Sequence, residues 1–303
     1  ISSICLGGRL QRYYWFSLSV IKRRHHDNDY EKDLRRSCRC LLLITEEQLN
    51  CFSAFCLRLP QGKGYKIIFS KNSSALDYLN QRGITKDSII EFQIGFVPRD
   101  SDYYKELSKK FNEKEILDTG LFYKNEKYNK FVNRFYSRII FPIKNIVGDI
   151  VAFGGRVIEN SKTAKYINSP ETEFYKKGNN LYNIDEAKKI RNNNDEVFIV
   201  EGYMDVITLH KFGIKNVTAN SGTAMTENQI NLAWRFFKNI IICLDGDESG
   251  QKAALRAAEK LFPLMKSDSN IYFLTLPENL DPDSFVNQKG KDSFIKFTES
   301  KKE

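Results

Sequence analysis

The sequence predicts an α/β protein in which a mostly parallel sheet flanked by helices is preceded by a mixed α+β basic subdomain. After Lys189, short β-branched runs alternate with helical patterns, as is typical of parallel sheets covered by helices. Before Lys189, helical patterns precede a β-hairpin signal, which favours a mixed arrangement there. The 303 residues suffice for two domains, and a hydrophobic content of 41% suffices for a packed core.

The first segment, residues 1–62, shows no sustained helical or strand period, so we assign it no fold. It contains five of the six cysteines, and none of them forms the C-x2-C pair of a zinc ribbon. It also lacks the apolar block and small-residue cleavage site of a secretory signal. The chain has no run of about 18 apolar residues, so we expect no membrane helix.

Residues 63–190 form the predicted basic subdomain, with 23 basic and 16 acidic side chains. Such an excess suits a polyanion such as nucleic acid. Three helices are predicted, between Ser73 and Gly83, from a Thr85 cap through Ile90, and at residues 102–111.

A β-hairpin is predicted next, with strands at residues 139–143 and 149–153 around a turn at residues 145–148. We expect the glycine pair Gly154 and Gly155 to end the second strand, because glycine adopts backbone conformations that other residues avoid.

Residues 191–303 form the predicted parallel-sheet domain, with 14 basic and 16 acidic side chains. Its predicted strands cover residues 196–200, 216–219, 240–244 and 271–276. Helices are predicted between them at residues 204–212, 226–237 and 249–265, and Thr226 is a suitable cap for the second.

Acidic pairs follow three of these strands: Glu201 with Asp205, Asp245 with Asp247, and Asp281 with Asp283. Each pair alone is also typical of a turn or a solvated loop. Because the carboxyl ends of parallel strands share one edge of a sheet, we expect all six side chains to converge there. Clustered carboxylates resist being charged together and therefore imply a bound cation. Oxygen ligands without nearby His or Cys favour Mg²⁺ or Mn²⁺, and paired ions suit phosphoryl transfer.

These motifs, EGYMD at 201–205, DGDESG at 245–250 and DPD at 281–283, resemble the Toprim domain shared by DnaG-type primases and topoisomerases. EGYMD in particular resembles the primase version. Upstream blocks are similar to the amino-terminal core subdomain of these primases: ALDYLNQRGI at 75–84, GFVP at 95–98, RIIFPI at 138–143, FGGR at 153–156 and KYINSPET at 165–172. The resemblance covers about residues 73–298.

The resemblance implies the catalytic core of a bacterial DnaG-type DNA primase. Such an enzyme is a DNA-directed RNA polymerase, a nucleotidyltransferase, that makes short RNA primers on single-stranded DNA for replication. It implies a catalytic group of Glu201, as general acid or base, with Asp245 and Asp247. The implied ligands of two or more Mg²⁺ or Mn²⁺ ions are Glu201, Asp205, Asp245, Asp247, Asp281 and Asp283. The implied nucleic-acid and nucleotide-binding residues are Arg138, Arg156, Lys165, Tyr166, Asn168, Ser169 and Lys177.

The implied partners are a single-stranded DNA template and ribonucleoside triphosphates. The resemblance also implies a replicative helicase in full-length members, a single-stranded DNA-binding protein as a further candidate, no membrane, and a cytoplasmic, nucleoid-associated location. The family begins with a structural Zn²⁺ ribbon, whose C-x2-H and C-x2-C ligands do not occur in residues 1–62. We also expect residues 191–303 to lack the carboxy-terminal helical bundle and the helicase-binding domain.

Two alternative functions stay open. A truncated primase fragment with these departures would bind single-stranded DNA without catalysis. Another Toprim enzyme, a topoisomerase or a nuclease, would use the same acidic residues. A topoisomerase needs a separate domain with a nucleophilic tyrosine, and none of the 15 tyrosines stands in such a context. A nuclease would not need the upstream primase blocks.

Overall fold

The structure is a computed structural model that describes residues 73–98, 103–158, 163–193, 195–220, 222, 224–265, 267–277 and 280–299. The predictions for residues 1–62, and for the start of a helix at Asp102, lie outside the described residues. Within these ranges, no helix is long and apolar enough to cross a membrane.

The first half of the described chain contains an antiparallel sheet and several short helices. Its elements are α1 (Ser73–Gln81), α2 (Lys86–Glu91), β1 (Gly95–Val97), α3 (Tyr103–Leu107), α4 (Glu113–Asp118), β2 (Phe122–Asn125), β3 (Lys130–Asn133), β4 (Arg138–Lys144), β5 (Ile150–Val157) and β6 (Tyr166–Asn168). The main sheet has the order β1-β4-β5-β6, and β2 and β3 form a separate hairpin. All the pairs are antiparallel.

The second half contains a parallel sheet with helices between its strands. Its elements are α5 (Ile184–Ala187), β7 (Glu196–Val200), α6 (Tyr203–Lys211), β8 (Val217–Ala219), α7 (Glu227–Trp234), β9 (Asn239–Leu244), α8 (Glu248–Leu261), β10 (Asn270–Thr275) and α9 (Pro282–Glu299). The strand order is β10-β9-β7-β8, and every pair in it is parallel. Three 3₁₀ helices lie at Lys177–Asn179, Lys188–Asn193 and Phe262–Leu264. The predicted fold class is therefore confirmed.

Side-chain caps explain where several helices begin. The predicted Thr85 cap is confirmed, because its hydroxyl accepts a hydrogen bond from the Ser88 amide at 3.2 Å. Thr226 likewise caps α7: its hydroxyl accepts from the Gln229 amide at 3.2 Å, and its own amide donates to Gln229 Oε1 at 3.0 Å. The prediction of one helix at residues 102–111 was wrong at its end, since α3 ends at Leu107. The capping box of Asn112 starts the separate helix α4.

The glycine pair does not end a strand, contrary to the prediction, because β5 continues through it to Val157. Neither glycine has a positive φ. A Cβ on Gly154 would lie 2.5 Å from the Tyr203 ring, and one on Gly155 would lie 2.7 Å from Phe135 Cδ1. These glycines therefore allow large aromatic side chains to approach the strand closely.

One hydrophobic core joins the two sheets. It includes buried residues of β4, such as Phe141, together with Phe198 and Val200 of β7 and Tyr203 of α6. The rings of Phe141 and Tyr203 stack with centroids 5.3 Å apart and planes 8° apart. Such stacking contributes about 0.5–1.5 kcal/mol beyond area burial. All four strands of the parallel sheet contribute to this core, which therefore holds the parallel sheet against the antiparallel sheet.

Candidate functional site

The three acidic pairs lie at the carboxyl ends of neighbouring parallel strands. Glu201 directly follows β7 and Asp245 directly follows β9, and these two strands are adjacent in the sheet. The remaining four occupy the first turns or caps of the helices that follow: Asp205 in α6, Asp247 at the start of α8, and Asp281 and Asp283 at the start of α9.

Hydrogen bonds connect the acidic segments to one another. The Asp245 amide donates to Glu201 Oε1 at 3.4 Å, and the Asp283 amide donates to Asp205 Oδ1 at 3.3 Å. The Gly202 amide also donates to Asp205 Oδ2, at 3.1 Å. The structure thus brings together side chains that are up to 82 residues apart in the numbering, from 201 to 283.

The DGDESG loop is shaped by Asp247 and Gly250. Asp247 caps α8 by accepting a hydrogen bond from the Gly250 amide at 2.7 Å. A Cβ on Gly250 would lie only 2.2 Å from the Asp245 carbonyl oxygen. Because the obstacle is backbone, a larger residue there would displace Asp245. The Gly246 amide also donates to the Leu280 carbonyl at 2.9 Å, which holds the DPD segment beside this loop.

Burial and mutual repulsion make these carboxyls hard to ionise. Burial raises the pKa of Asp245 to about 7, with further contributions from Glu201, Asp281 and Asp247. Burial also raises the pKa of Asp205 well above its usual value, followed by repulsion from Asp281 and Asp245. The pKa of Asp283 is raised by burial as well, although hydrogen bonds and the Arg82 charge act against this. The site therefore concentrates negative charge at an internal cost.

One atom of the cluster has an unmet requirement. Asp245 Oδ1 is buried and has no hydrogen-bond partner among the described residues. Buried polar atoms are normally paired, so this oxygen fits a ligand for a cation. Within the described ranges, however, no three His, Cys, Asp or Glu side chains are already arranged as a metal-binding group.

A cationic and aromatic cluster lies beside the acidic one. The Arg156 guanidinium lies 4.9 Å from the ring centroids of both Tyr78 and Tyr166, and it donates to the Tyr166 hydroxyl. Burial raises the pKa of Tyr166, against the effect of Arg156, and the charge of Asp205 adds to the rise. Tyr166 therefore lies within the electrostatic field of the carboxylates. Arg82 forms a second link, with its Nη1 3.8 Å from Asp283 Oδ2.

The other predicted basic and polar residues have different environments. Arg138 is buried, and its Nη1 donates to the carbonyls of Ala164 at 2.9 Å and Lys165 at 3.3 Å. Ser169 is buried and accepts a hydrogen bond from the Phe153 amide at 3.0 Å. These two side chains support the main chain around the KYINSPET block, whereas the Lys165 side chain is exposed.

Lys177 is half-buried in a 3₁₀ helix that α7 holds in place. The Gln229 amide nitrogen donates to the carbonyls of Lys177 at 3.1 Å and Asn180 at 2.9 Å. The Thr226 hydroxyl donates to the Gly178 carbonyl at 2.5 Å. The start of α7 therefore sets the position of Lys177 relative to the parallel sheet.

Sequence reasoning missed four residues that organise this region: Tyr78, Arg82, Tyr203 and Gln229. Tyr78 and Arg82 belong to the ALDYLNQRGI block, and Tyr203 belongs to EGYMD, so their motifs were recognised without their contacts. The Tyr203 hydroxyl donates to Asn168 Oδ1 at 2.6 Å. The capping-box spacing from Thr226 is a local signal for Gln229, but its bonds to Lys177 and Asn180 span 52 and 49 residues and have no local signal.

Comparisons with known families divide the chain into two matched regions. Residues 65–188 match the family described as the DNA primase catalytic core, N-terminal domain. Residues 195–275 match the Toprim domain. The order and spacing of the two matches agree with the order of the antiparallel and parallel sheets.

Among individual proteins, the chain is similar to the DNA primase of Pseudomonas aeruginosa, with 43% identity over 223 residues, covering 73% of this chain and 33% of that protein. It is 42% identical over 227 residues to the DNA primase of Rickettsia typhi, covering 75% and 38%. The chain thus spans between a third and two fifths of these curated relatives.

Solved structures show the same relationship. A DnaG primase catalytic domain bound to single-stranded DNA is 33% identical with a TM-score of 0.75, covering 84% of this chain and 78% of that one. A DNA primase domain from Pseudomonas aeruginosa is 38% identical with a TM-score of 0.72, covering 82% and 77%.

Proposed function

We propose, from the premise that the chain belongs to the DnaG-type DNA primase family, that it carries the catalytic core of a primer-synthesising RNA polymerase. The proposed activity is template-directed joining of ribonucleotides on single-stranded DNA. The predicted family is confirmed, and its activity is here assigned to this chain on the strength of its site.

The proposal rests on the proximity of the acidic cluster to the cationic and aromatic cluster. The acidic segment at residues 201–205 meets the antiparallel sheet through Tyr203, whose hydroxyl donates to Asn168 of β6. The rings of Tyr203 and Tyr166 have centroids 6.4 Å apart, and Arg156 lies over Tyr166. An acidic cluster suits metal-assisted phosphoryl transfer, and a cationic, aromatic cluster suits a phosphorylated nucleotide. A nucleotidyltransferase needs both in one place.

We infer that the carboxylates hold Mg²⁺ or Mn²⁺, as two or more ions. The unpaired Asp245 Oδ1 and the repulsion within the cluster support this, since a cation would satisfy both. The proposed ligands are Glu201, Asp205, Asp245, Asp247, Asp281 and Asp283. Bound there, such ions supply Lewis-acid chemistry and neutralise the charge of a triphosphate.

The proposed reaction joins the 3′ hydroxyl of one ribonucleotide to the α-phosphate of the next. The oxygen–phosphorus bond forms as the bond to the pyrophosphate leaving group breaks, and the hydroxyl proton must leave. We propose Glu201 as the group that accepts this proton, as the family resemblance implies. It directly follows β7, and its Oε1 accepts a hydrogen bond from the Asp245 amide at 3.4 Å. Asp245 and Asp247 complete the proposed catalytic group, and the Asp247 bond with the Gly250 amide holds their loop.

Arg156, Lys165, Tyr166, Asn168 and Lys177 are the proposed contacts for nucleotide and template. Basic side chains bind phosphate without regard to base sequence, which suits an enzyme that uses many templates. Arg138 and Ser169 are proposed to act indirectly, because both bind main-chain atoms that carry the KYINSPET block.

Single-stranded DNA and ribonucleoside triphosphates are the proposed partners. The family relationship supports a replicative helicase and a single-stranded DNA-binding protein as further partners of a full-length protein, and a cytoplasmic, nucleoid-associated location. The Zn²⁺ ribbon typical of the family has no recognisable ligand pattern in residues 1–62, which lie outside the described residues.

The test is a primer-synthesis assay on single-stranded DNA with labelled ribonucleotides and Mg²⁺. We expect short RNA products from the 303-residue chain and a loss of at least about a hundredfold for Asp245→Asn. Asp292→Asn is the matched control, because Asp292 is an exposed carboxylate of α9 away from the site.

Each alternative function has its own result in this assay. Binding of DNA without any RNA product would support the non-catalytic fragment. Cleavage or relaxation of DNA that depends on Asp245 would support a nuclease or a topoisomerase. Either result overturns the proposed polymerase.

A further inference from the structure

Tyr203 connects the two halves of the site through one hydrogen bond. It begins α6, between the proposed ligands Glu201 and Asp205 in the chain. Its hydroxyl donates to Asn168 Oδ1 at 2.6 Å, and Asn168 ends β6 in the antiparallel sheet. The bond therefore joins the acidic motif to the KYINSPET block, 35 residues away in sequence.

The Tyr203 ring has little freedom to move. It is 3% exposed, stacks on Phe141 and meets the edge of Tyr182 with centroids 4.8 Å apart. Its other side lies against Gly154, where a Cβ would be only 2.5 Å from the ring. This close packing restricts the position of the hydroxyl.

The bond also orients the Asn168 amide. Because the Tyr203 hydroxyl donates, its partner must be the oxygen of the Asn168 amide. The amide nitrogen, which has two donor hydrogens, therefore points away from Tyr203. Donors suit the oxygen-rich ribose and phosphate groups of a nucleotide. Phenylalanine at position 203 would remove the donor that holds the amide oxygen on the Tyr203 side.

We propose that Tyr203 is a positioning residue that locks the Asn168 amide, and so aligns the nucleotide-binding side of the site with the carboxylate side. The proposal rests on the proposed function and adds a specific task for the central residue of EGYMD. A purely structural role would use the ring alone, whereas this role needs the hydroxyl.

The experiment measures primer synthesis and equilibrium ATP binding for Tyr203→Phe. We expect KM for ribonucleotides and the ATP Kd to rise about tenfold, as is typical when one oriented polar contact is lost. We expect kcat to change less than about threefold and the melting temperature to stay the same, because the ring is retained.

Tyr182→Phe is the matched control. Tyr182 is also a buried tyrosine packed on this core, but its hydroxyl has no hydrogen-bond partner among the described residues. Its removal should leave KM and Kd unchanged. An Asn168→Ala variant completes the comparison, and adding Tyr203→Phe to it should raise KM by less than about twofold, since coupled residues are not additive.

The outcomes separate the positioning role from the proposed function. If the unmodified chain binds ATP and makes primers while Tyr203→Phe does both equally well, the positioning role is wrong and the function stands. The positioning role is also wrong if the effects of Tyr203→Phe and Asn168→Ala simply add. If the unmodified chain neither binds ATP nor makes primers, both proposals fail.

Discussion

Replacing Asp245 by asparagine should make the protein more stable while it removes activity. Asp245 is partly buried among Glu201, Asp247 and Asp281, which together with burial raise its pKa to about 7. Asparagine has the same shape but no charge, and its amide nitrogen can donate to a neighbouring carboxylate. Asp245→Asn therefore removes repulsion from the native state without opening a cavity.

The size of this effect follows from the pKa. The rise from 3.8 to about 7 is roughly three units, and each unit is equivalent to about 1.4 kcal/mol, which gives an upper limit of about 4 kcal/mol. Because Asp245 is partly exposed and water screens its charge, we expect about 1–2 kcal/mol.

The stability gained by Asp245→Asn should increase as pH rises. Between pH 4 and pH 7 native Asp245 holds a proton that the unfolded chain has lost, so the free energy of unfolding of the unmodified protein falls as pH rises. Above about pH 7 the charged Asp245 lowers the free energy of unfolding by its full amount, and below about pH 4 it has no such effect. Asp245→Asn should therefore show its full advantage at about pH 8 and less than half of it at about pH 5.

The assay is urea-induced unfolding in a chelating buffer at pH 5 and pH 8, with Asp292→Asn as the control that should match the unmodified protein. Adding about 10 mM Mg²⁺ should then stabilise the unmodified chain more than Asp245→Asn, because a ligand of the native state stabilises by mass action. An equal gain at both pH values, or no gain at pH 8, would refute the electrostatic reasoning.

Two further predictions test the packing around the site, and a third tests the titration of a buried histidine in α6. Gly250→Ala should abolish primer synthesis, because its Cβ would lie 2.2 Å from the Asp245 carbonyl oxygen; retained activity in the assay would contradict this. Gly154→Ala should destabilise the protein by about 1–3 kcal/mol in urea unfolding, as overpacking against the Tyr203 ring predicts. His210→Gln should reduce the loss of stability on acidification. Burial lowers the pKa of His210 despite Glu91 at 3.5 Å and Glu186, and Lys215 lowers it further. The unfolded state therefore gains this proton first, and stability falls as pH drops below about 6.5. Unfolding at pH 7.5 and pH 5.5 measures the difference.

Local patterns were enough to predict the parallel-sheet half. Its strand β7 has the predicted bounds, and Thr226 caps α7 as expected, because caps and buried runs are encoded by a few adjacent residues. The same logic placed the acidic residues at strand ends. The capping box of Asn112 and Glu115 was an equally local signal, and it was overlooked.

The glycine pair shows where local reasoning fails. The sequence predicted that Gly154 and Gly155 end a strand. In the structure they leave room for the rings of Tyr203 and Phe135, which belong to other parts of the chain. Arg138 stays a predicted nucleotide or nucleic-acid contact, and only the structure shows that its guanidinium donates to the carbonyls of Ala164 and Lys165. Neither partner can be found from neighbouring residues.

The sequence by itself therefore determined the family, the order of strands and helices in the parallel-sheet half, and which carboxylates meet at the sheet edge. Parallel strands place their carboxyl ends together whatever the details of packing. Only the tertiary structure decided that Tyr203 binds Asn168, that Arg156 lies between two tyrosine rings, and that Arg82 reaches Asp283. Those contacts depend on side-chain packing between two sheets, and packing is a property of residues that are distant in the chain.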